Sequence, residues 1–150
     1  MTDTIDIPDL VNQLHPEPGY VTGGQPTPEQ LETAARNGIR RVINLRPPTE
    51  DAGYDEAEQA DQLGLEYTVL PIAGAPDLTR DNAEQLDALL AGDESAPTLV
   101  HCASGNRVGA LMALRAAWVH GKSADEALAI GRRWGLTRAE AAVASLLGEE

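Results

Sequence analysis

The fold of this 150-residue chain is decided by the stretch TLVHCASGNR at residues 98–107, which contains the only cysteine, Cys102. The first four residues form a short apolar run after Pro97, which predicts a buried strand. Residues 108–119 are almost wholly apolar and are followed by Gly121, which predicts a buried helix with a glycine stop. Cys102 is therefore expected where a strand gives way to a helix.

A thiol in that position has an unusual chemical environment. The first turn of a helix presents unpaired N–H groups and the positive end of the helix dipole, and both favour the thiolate. The loop predicts a nucleophile, Cys102, inside an anion-binding site, with Arg107 supplying a planar pair of donors. The residues expected to bind substrate around it are His101, Ala103, Ser104, Gly105 and Asn106. The alternative is that Cys102 is a small hydrophobe of the core.

The rest of the chain alternates helix and strand signals. Strands are predicted at residues 41–45 and 65–70, and helices at 54–63 and 79–91. Capping boxes predict three further helix starts, at Thr27-Pro28-Glu29-Gln30, Ser123-Ala124-Asp125-Glu126 and Thr137-Arg138-Ala139-Glu140. This alternation predicts a single α/β domain with a largely parallel sheet of four to five strands flanked by helices.

The expected domain organisation is an irregular N-terminal arm at residues 1–18 and an α/β domain at residues 19–150. Ligands of parallel α/β folds bind beyond the carboxyl ends of the strands. Cys102 follows a predicted strand directly, so it is expected at that edge of the sheet.

The charge and composition of the chain exclude several classes of binding partner. The formal net charge is −13, from 24 acidic and 11 basic residues, which repels nucleic acids and anionic membranes. No apolar run approaches the length of a membrane span, and the N-terminus lacks the features of a secretory signal. A single cysteine cannot form an internal disulfide, so a cytoplasmic location is expected. His15 and His120 are lone histidines, and the sequence has no cluster of metal-ligand residues, so neither a metal nor a cofactor is expected.

Three separated motifs carry a resemblance to a known family. They are Gly24-Gln25-Pro26-Thr27, Ile43-Asn44-Leu45-Arg46, and His101-Cys102 followed by Gly105-Asn106-Arg107. In this order they resemble the phosphatase-like domain of the beta-lactamase-hydrolase-like proteins, within the dual-specificity and tyrosine phosphatase superfamily. The resemblance implies a dual-specificity-phosphatase-like fold and hydrolysis of a phosphoester through a cysteinyl-phosphate, with Cys102 attacking and Arg107 holding the phosphoryl oxygens.

The chain departs from the tyrosine phosphatase pattern at three places. Four residues separate Cys102 from Arg107, where tyrosine phosphatases have five, and this length is that of rhodanese-type sulfurtransferases. Val108 occupies the position where a phosphatase usually has Ser or Thr. No aspartate stands at the usual general-acid position; Asp77 is the nearest candidate, and its alternative is a turn residue before the next helix.

Two roles are open for Arg46, which ends a predicted strand on the side of the loop. It lines the substrate pocket, or it pairs with Glu50 or Asp51. Three functions are open for the chain as a whole. The first is a phosphatase-like hydrolase acting on a small-molecule or protein phosphoester. The second is a sulfurtransferase that takes a sulfur oxyanion through a Cys102 persulfide, and the third is an oxyanion-binding module without turnover.

Overall fold

Four parallel strands form one sheet in the computed structural model, which describes residues 5–91 and 96–148. The strands are β1 (Tyr20–Gly23), β2 (Arg41–Asn44), β3 (Glu66–Val69) and β4 (Thr98–His101). Their order across the sheet is β1-β4-β2-β3, and every pair is parallel. The prediction of a parallel α/β fold is confirmed. Because β4 lies between β1 and β2, the residues that follow β4 are flanked by the ends of both neighbours.

Six helices in the described residues cover the two faces of the sheet. They are α1 (Pro28–Arg36), α2 (Glu56–Gln62), α3 (Arg80–Leu90), α4 (Asn106–Trp118), α5 (Ala124–Arg133) and α6 (Glu140–Gly148). Alternate strand residues point to opposite faces, so Val42 and Leu99 join one core cluster while Ile43 and Val100 join the other. None of the helices in these described ranges has the length and apolar character needed to cross a membrane.

Local capping residues fix where most of these helices begin. Thr27 and Ser123 form the predicted capping boxes of α1 and α5, each accepting a hydrogen bond from the backbone N–H three residues later. Asp55 and Thr79 cap α2 and α3 in the same way. The starts of these four helices therefore follow from short-range sequence signals.

The predicted capping box at residues 137–140 is wrong. Glu140 extends its carboxylate to Arg132, at 2.8 and 3.1 Å, and α6 begins at Glu140 itself. The Thr137 hydroxyl donates to Asn106 Oδ1 at 3.2 Å. The local box is absent because α6 begins too late for Thr137 to be its N-cap and because Glu140 instead forms a charge-assisted contact with Arg132.

Strand β1 has no counterpart among the predicted elements. It is only four residues long, and it pairs with β4 along its whole length. The preceding segment packs on this side of the fold, with Ile7 and Leu10 buried in the core and an antiparallel bridge between Leu14 and Thr22. Long-range pairing, rather than a local apolar pattern, therefore defines this edge of the sheet.

Helices α4 and α5 approach each other closely at Gly109. A methyl group at this position would lie 2.0 Å from the backbone nitrogen of Leu136 and 2.6 Å from the carbonyl oxygen of Gly131. These are backbone atoms, which cannot move without shifting the end of α5. The packing of the helical layer thus depends on the absence of a side chain at Gly109.

We expect Gly109→Ala to lower the free energy of unfolding by about 3 kcal/mol or more, because the added methyl overpacks a backbone contact. Chemical unfolding followed by circular dichroism measures the change. Gly148→Ala is the control, since nothing lies within 4 Å of its added methyl, and it should change stability by less than about 0.5 kcal/mol. Equal stability of Gly109→Ala and the parent would contradict the packing described.

Candidate active site

The loop between β4 and α4 folds back on the Cys102 sulfur. Gly105 adopts a left-handed conformation, with φ of 92°, which a glycine reaches without steric cost. Its backbone N–H donates to Cys102 Sγ at 3.0 Å. The Cys102 N–H donates to Gly23 at the end of β1, at 3.3 Å. The sulfur is therefore held at the start of α4, where an N–H donor and the helix dipole stabilise negative charge.

The carbonyl groups of the loop point away from the sulfur. Ala103 accepts from the backbone N–H of Gln25 at 3.1 Å, and Ser104 accepts from Asn12 Nδ2 at 2.9 Å. In a trans peptide the C=O and the following N–H point in opposite directions. Outward carbonyls therefore turn the N–H groups of Ser104 and Gly105 toward the inside of the loop, as an anion-binding loop requires.

Arg107 lies in the first turn of α4 and is held from two sides. Its Nη1 and Nη2 donate to the two carboxylate oxygens of Glu50 at 2.8 and 3.0 Å, and Nη1 also donates to the carbonyl oxygen of Ile72 at 2.7 Å. The Arg107 guanidinium holds the pKa of the Glu50 carboxyl below its ordinary value. In return Glu50, and secondly the nearby Cys102, raise the pKa of Arg107. This places a fixed cation close to the thiol.

His101 is completely buried and turns away from the interior of the loop. Its Nε2 lies 2.6 Å from Glu56 Oε2, and its Nδ1 lies 3.3 Å from the carbonyl oxygen of Cys102. Glu56, the first residue of α2, is itself only 5 % exposed. The buried contact with Glu56 therefore fixes the ring of His101, the residue that immediately precedes the cysteine.

Arg46 pairs with the residues after β2, which is one of the two roles that its position suggested. Its Nε donates to Glu50 Oε1 at 3.1 Å, and its Nη2 donates to the carbonyl oxygen of Asp51 at 3.1 Å. Its Nη1 donates to Gln25 Oε1 at 2.6 Å. Arg46 thus joins the residues after β1 to the residues after β2 and shares Glu50 with Arg107.

Two predicted substrate-binding residues commit their side chains elsewhere. Asn106 Oδ1 accepts from the backbone N–H groups of Thr137 and Ala139, at 2.9 and 3.2 Å, and so fixes the segment before α6. The Ser104 hydroxyl accepts from Arg138 Nη2 at 3.3 Å. Both residues face the α5–α6 connection, so their backbone groups alone line the loop.

Asp77 lies in the 3-10 turn Ala75–Asp77. Its Oδ2 accepts from the backbone N–H of Ala73 at 2.8 Å, which is the behaviour of a turn residue. The same segment begins at Ile72, whose carbonyl group accepts from Arg107. Asp77 therefore belongs to a segment that is anchored on the arginine of the loop.

A cavity of about 310 Å³ adjoins Arg46 and Glu50 and is lined by residues that follow β1 and β2, by the start of α2 and by β3. Tyr54 and Tyr67 border it, and burial raises the pKa of both phenols. The Tyr67 hydroxyl accepts from Asn44, and the Tyr54 hydroxyl donates to Pro26. Both phenols are therefore neutral at pH 7, and the charged groups that line the cavity are Arg46 and the acidic residues. Within residues 5–91 and 96–148, no group of three or more His, Cys, Asp and Glu residues could hold a metal ion.

The sequence interpretation did not identify Glu56 as part of the site. An acidic residue at the start of a helix is ordinarily a solvated partner of the helix dipole, and nothing nearby in the chain marks Glu56 as buried. Its contact with His101 joins residues 45 positions apart. Glu50 was identified only as a possible partner of Arg46, and its bidentate contact with Arg107 spans 57 positions.

Comparisons with known proteins identify relatives of this chain. A curated relative, the "Beta-lactamase hydrolase-like protein" of Xylella fastidiosa, is 34 % identical over 116 residues, which cover 75 % of this chain and 26 % of the relative. The chain thus spans about a quarter of the length of that relative. A crystal structure of a candidate phosphatase from Neisseria meningitidis matches with a TM-score of 0.73 and 25 % identity, covering 91 % of this chain and 97 % of that one.

A more distant match shows the fold alone. The core catalytic domain of a PP-IP phosphatase from S. cerevisiae is 16 % identical, with a TM-score of 0.73, and the match covers 95 % of this chain and 87 % of that domain. The family described as beta-lactamase hydrolase-like protein, phosphatase-like domain, matches residues 17–119, from just before β1 to just after α4. This chain therefore belongs to that phosphatase-like family and has the fold of the dual-specificity and tyrosine phosphatases.

Proposed function

We propose that the chain is a cysteine-dependent phosphatase-like hydrolase that cleaves a phosphoester through a covalent intermediate on Cys102. The observation that carries the proposal is the Cys102 sulfur, which accepts the Gly105 N–H at 3.0 Å beside the fixed guanidinium of Arg107. A thiolate nucleophile, inward N–H groups and a planar cation are the groups that phosphoryl transfer to sulfur requires. The family supports the same class of reaction.

Arg107 keeps donors for a substrate while it holds Glu50. A guanidinium has five N–H groups, and Glu50 and Ile72 take three of them, two on Nη1 and one on Nη2. The Nε–H and the second Nη2–H form another parallel pair on the adjacent side of the group. This pair suits two oxygens of a phosphoryl group, and the contact with Glu50 fixes its direction.

The proposed reaction has two steps. In the first, the Cys102 thiolate attacks phosphorus, a P–S bond forms, and the bond to the leaving oxygen breaks. In the second, water attacks the phosphocysteine, the P–S bond breaks, and phosphate leaves while the thiolate is regenerated. We assign the protonation of the leaving oxygen in the first step to Asp77, on the segment that Ile72 joins to Arg107.

Sulfur transfer is a second candidate, favoured by the short loop. Only four residues separate Cys102 from Arg107, and Val108, which is fully buried in the core, offers no hydroxyl to the departing thiolate. In that reaction Cys102 takes a sulfane sulfur from a donor such as thiosulfate, an S–S bond forms and sulfite leaves. An acceptor thiolate then removes the sulfur from the persulfide.

Parallel assays of p-nitrophenyl phosphate hydrolysis and thiosulfate-to-cyanide sulfur transfer distinguish the candidates. We expect phosphate release that disappears in Cys102→Ser, with the folded state verified by circular dichroism. Sulfur transfer without hydrolysis would replace the proposal with the second candidate. Phosphate binding without either turnover would make the chain an oxyanion-binding module.

Arg107→Lys should lower kcat/KM for p-nitrophenyl phosphate about 100-fold, because lysine supplies a charge but no parallel pair of donors. Arg115→Lys is the matched control, since Arg115 lies on the same helix and its Nε donates to Asp87 at 2.9 Å. Steady-state kinetics of the two variants measure the difference. Near-parent turnover in Arg107→Lys would remove Arg107 from the proposed mechanism.

Asp77→Asn should lose activity about 100-fold on an alkyl phosphate, whose leaving group needs a proton, and much less on p-nitrophenyl phosphate. The amide oxygen can still accept from Ala73, so the turn is preserved. Asp81→Asn, at an exposed aspartate that accepts from Gln85, is the control. Equal rates of Asp77→Asn and the parent on the alkyl phosphate would exclude Asp77 as the acid.

A further inference from the structure

A continuous chain of hydrogen bonds joins the two ends of the Cys102 loop. It runs through side chains from five different segments, and each link measures between 2.6 and 3.1 Å. In order, the members of this polar chain are His101, Glu56, Gln25, Arg46, Glu50 and Arg107. His101 immediately precedes the cysteine, and Arg107 closes the loop, so the polar chain spans the loop from outside.

The His101 end of the polar chain places hydrogen-bond acceptors at both ring nitrogens. The carbonyl oxygen of Cys102, 3.3 Å from Nδ1, can only accept, so Nδ1 carries a proton. Glu56 accepts from Gln25 Nε2 through Oε1, at 2.6 Å. Its other oxygen lies 2.6 Å from His101 Nε2. The imidazole ring is therefore held at both nitrogens, directly behind the cysteine.

Stability alone does not account for such a pair. Removing two polar side chains from water costs free energy, and apolar residues of similar volume in their place are often as stabilising or more so. His101 has no exposed surface and Glu56 is 5 % exposed, so this cost applies to both side chains. What the pair provides in exchange is a fixed position for the ring that donates to the Cys102 carbonyl group.

We propose that Glu56 is a positioning residue for Cys102. It acts on the cysteine through His101, and it is linked to Arg107 through Gln25, Arg46 and Glu50, so that it fixes both groups relative to each other. The inference rests on the proposed function above. Glu56 lines the cavity beside the loop, and its side-chain hydrogen bonds go to Gln25 and His101. It orients the residue from which Cys102 extends, and the rest of the polar chain holds Glu50 against the guanidinium, so that nucleophile and cation keep a constant separation.

Glu56→Gln is the informative variant because it preserves shape. Its amide oxygen can still accept from Gln25, but its amide nitrogen faces His101 and removes the acceptor from Nε2. We expect kcat for p-nitrophenyl phosphate and the rate of Cys102 alkylation by iodoacetamide at pH 7 to fall together, by about 10- to 100-fold. KM should change little, since the donors to the substrate remain. Glu58→Gln is the matched control, two residues along the same helix and exposed.

A double-mutant cycle shows whether Glu56 acts through His101. If it does, adding Glu56→Gln to His101→Asn should produce less than a twofold further loss in either rate. The double variant also removes both members of the buried pair, so it gives a folded reference if Glu56→Gln alone is destabilised, as thermal unfolding will show. The inference would be overturned if the loss in the double variant equalled the product of the two single losses. Parent-like rates in a folded Glu56→Gln would also overturn it.

The alkylation rate keeps this test separate from that of the proposed function. If the parent hydrolyses no phosphoester, the proposed function fails, while the ratio of alkylation rates between the parent and Glu56→Gln still reports on positioning. If the parent is a phosphatase and that ratio is close to one, the positioning role alone fails. A large ratio with phosphatase turnover supports both.

Discussion

The central position of β4 in a parallel sheet is the constraint on which the site depends. Because β1 and β2 flank β4 and run in the same direction, the three strands end at one edge of the sheet, at Gly23, Asn44 and His101. The residues after each strand therefore meet around Cys102. The apolar strands and helix α4 hold this edge rigidly, and the polar groups are added on top of it. A displaced β4 would separate the cysteine from Gly23 and its loop from the residues after β1 and β2.

Any electrostatic attraction between the site and an anion is local, because the chain as a whole is negatively charged. The chain carries a net charge of −13, so its overall field repels an anionic substrate. Arg46 and Arg107 oppose this field locally, but both also contact Glu50. For the proposed function, the pair of N–H groups on Arg107 and the inward amides of the loop would therefore recognise an oxyanion by direct hydrogen bonds. Such recognition depends on geometry more than on net charge, which is why positioning residues matter here.

Sequence patterns predicted the parts of this structure that depend on neighbouring residues. The capping boxes at Thr27 and Ser123 are reproduced because each is closed within four residues. The box at Thr137 fails because Glu140 contacts Arg132 and Thr137 contacts Asn106, and both partners lie outside the four residues of the box. Glu56 lies beyond such reasoning: whether an acidic residue is buried is decided by what packs over it, and His101 is 45 positions away. The three motifs of the family resemblance contained Gln25 and Arg46, but only the fold shows that they are joined through side chains.

The central claim is that Cys102 carries the transferred group, and trapping the intermediate tests it most directly. A radiolabelled phosphoester is mixed with the protein, the reaction is stopped by rapid denaturation, and mass spectrometry of peptides locates the label. The account predicts a phosphoryl group on Cys102 that appears within one turnover and is absent from Cys102→Ser. Hydrolysis that proceeds with no label on Cys102, or at an undiminished rate in Cys102→Ser, would contradict it.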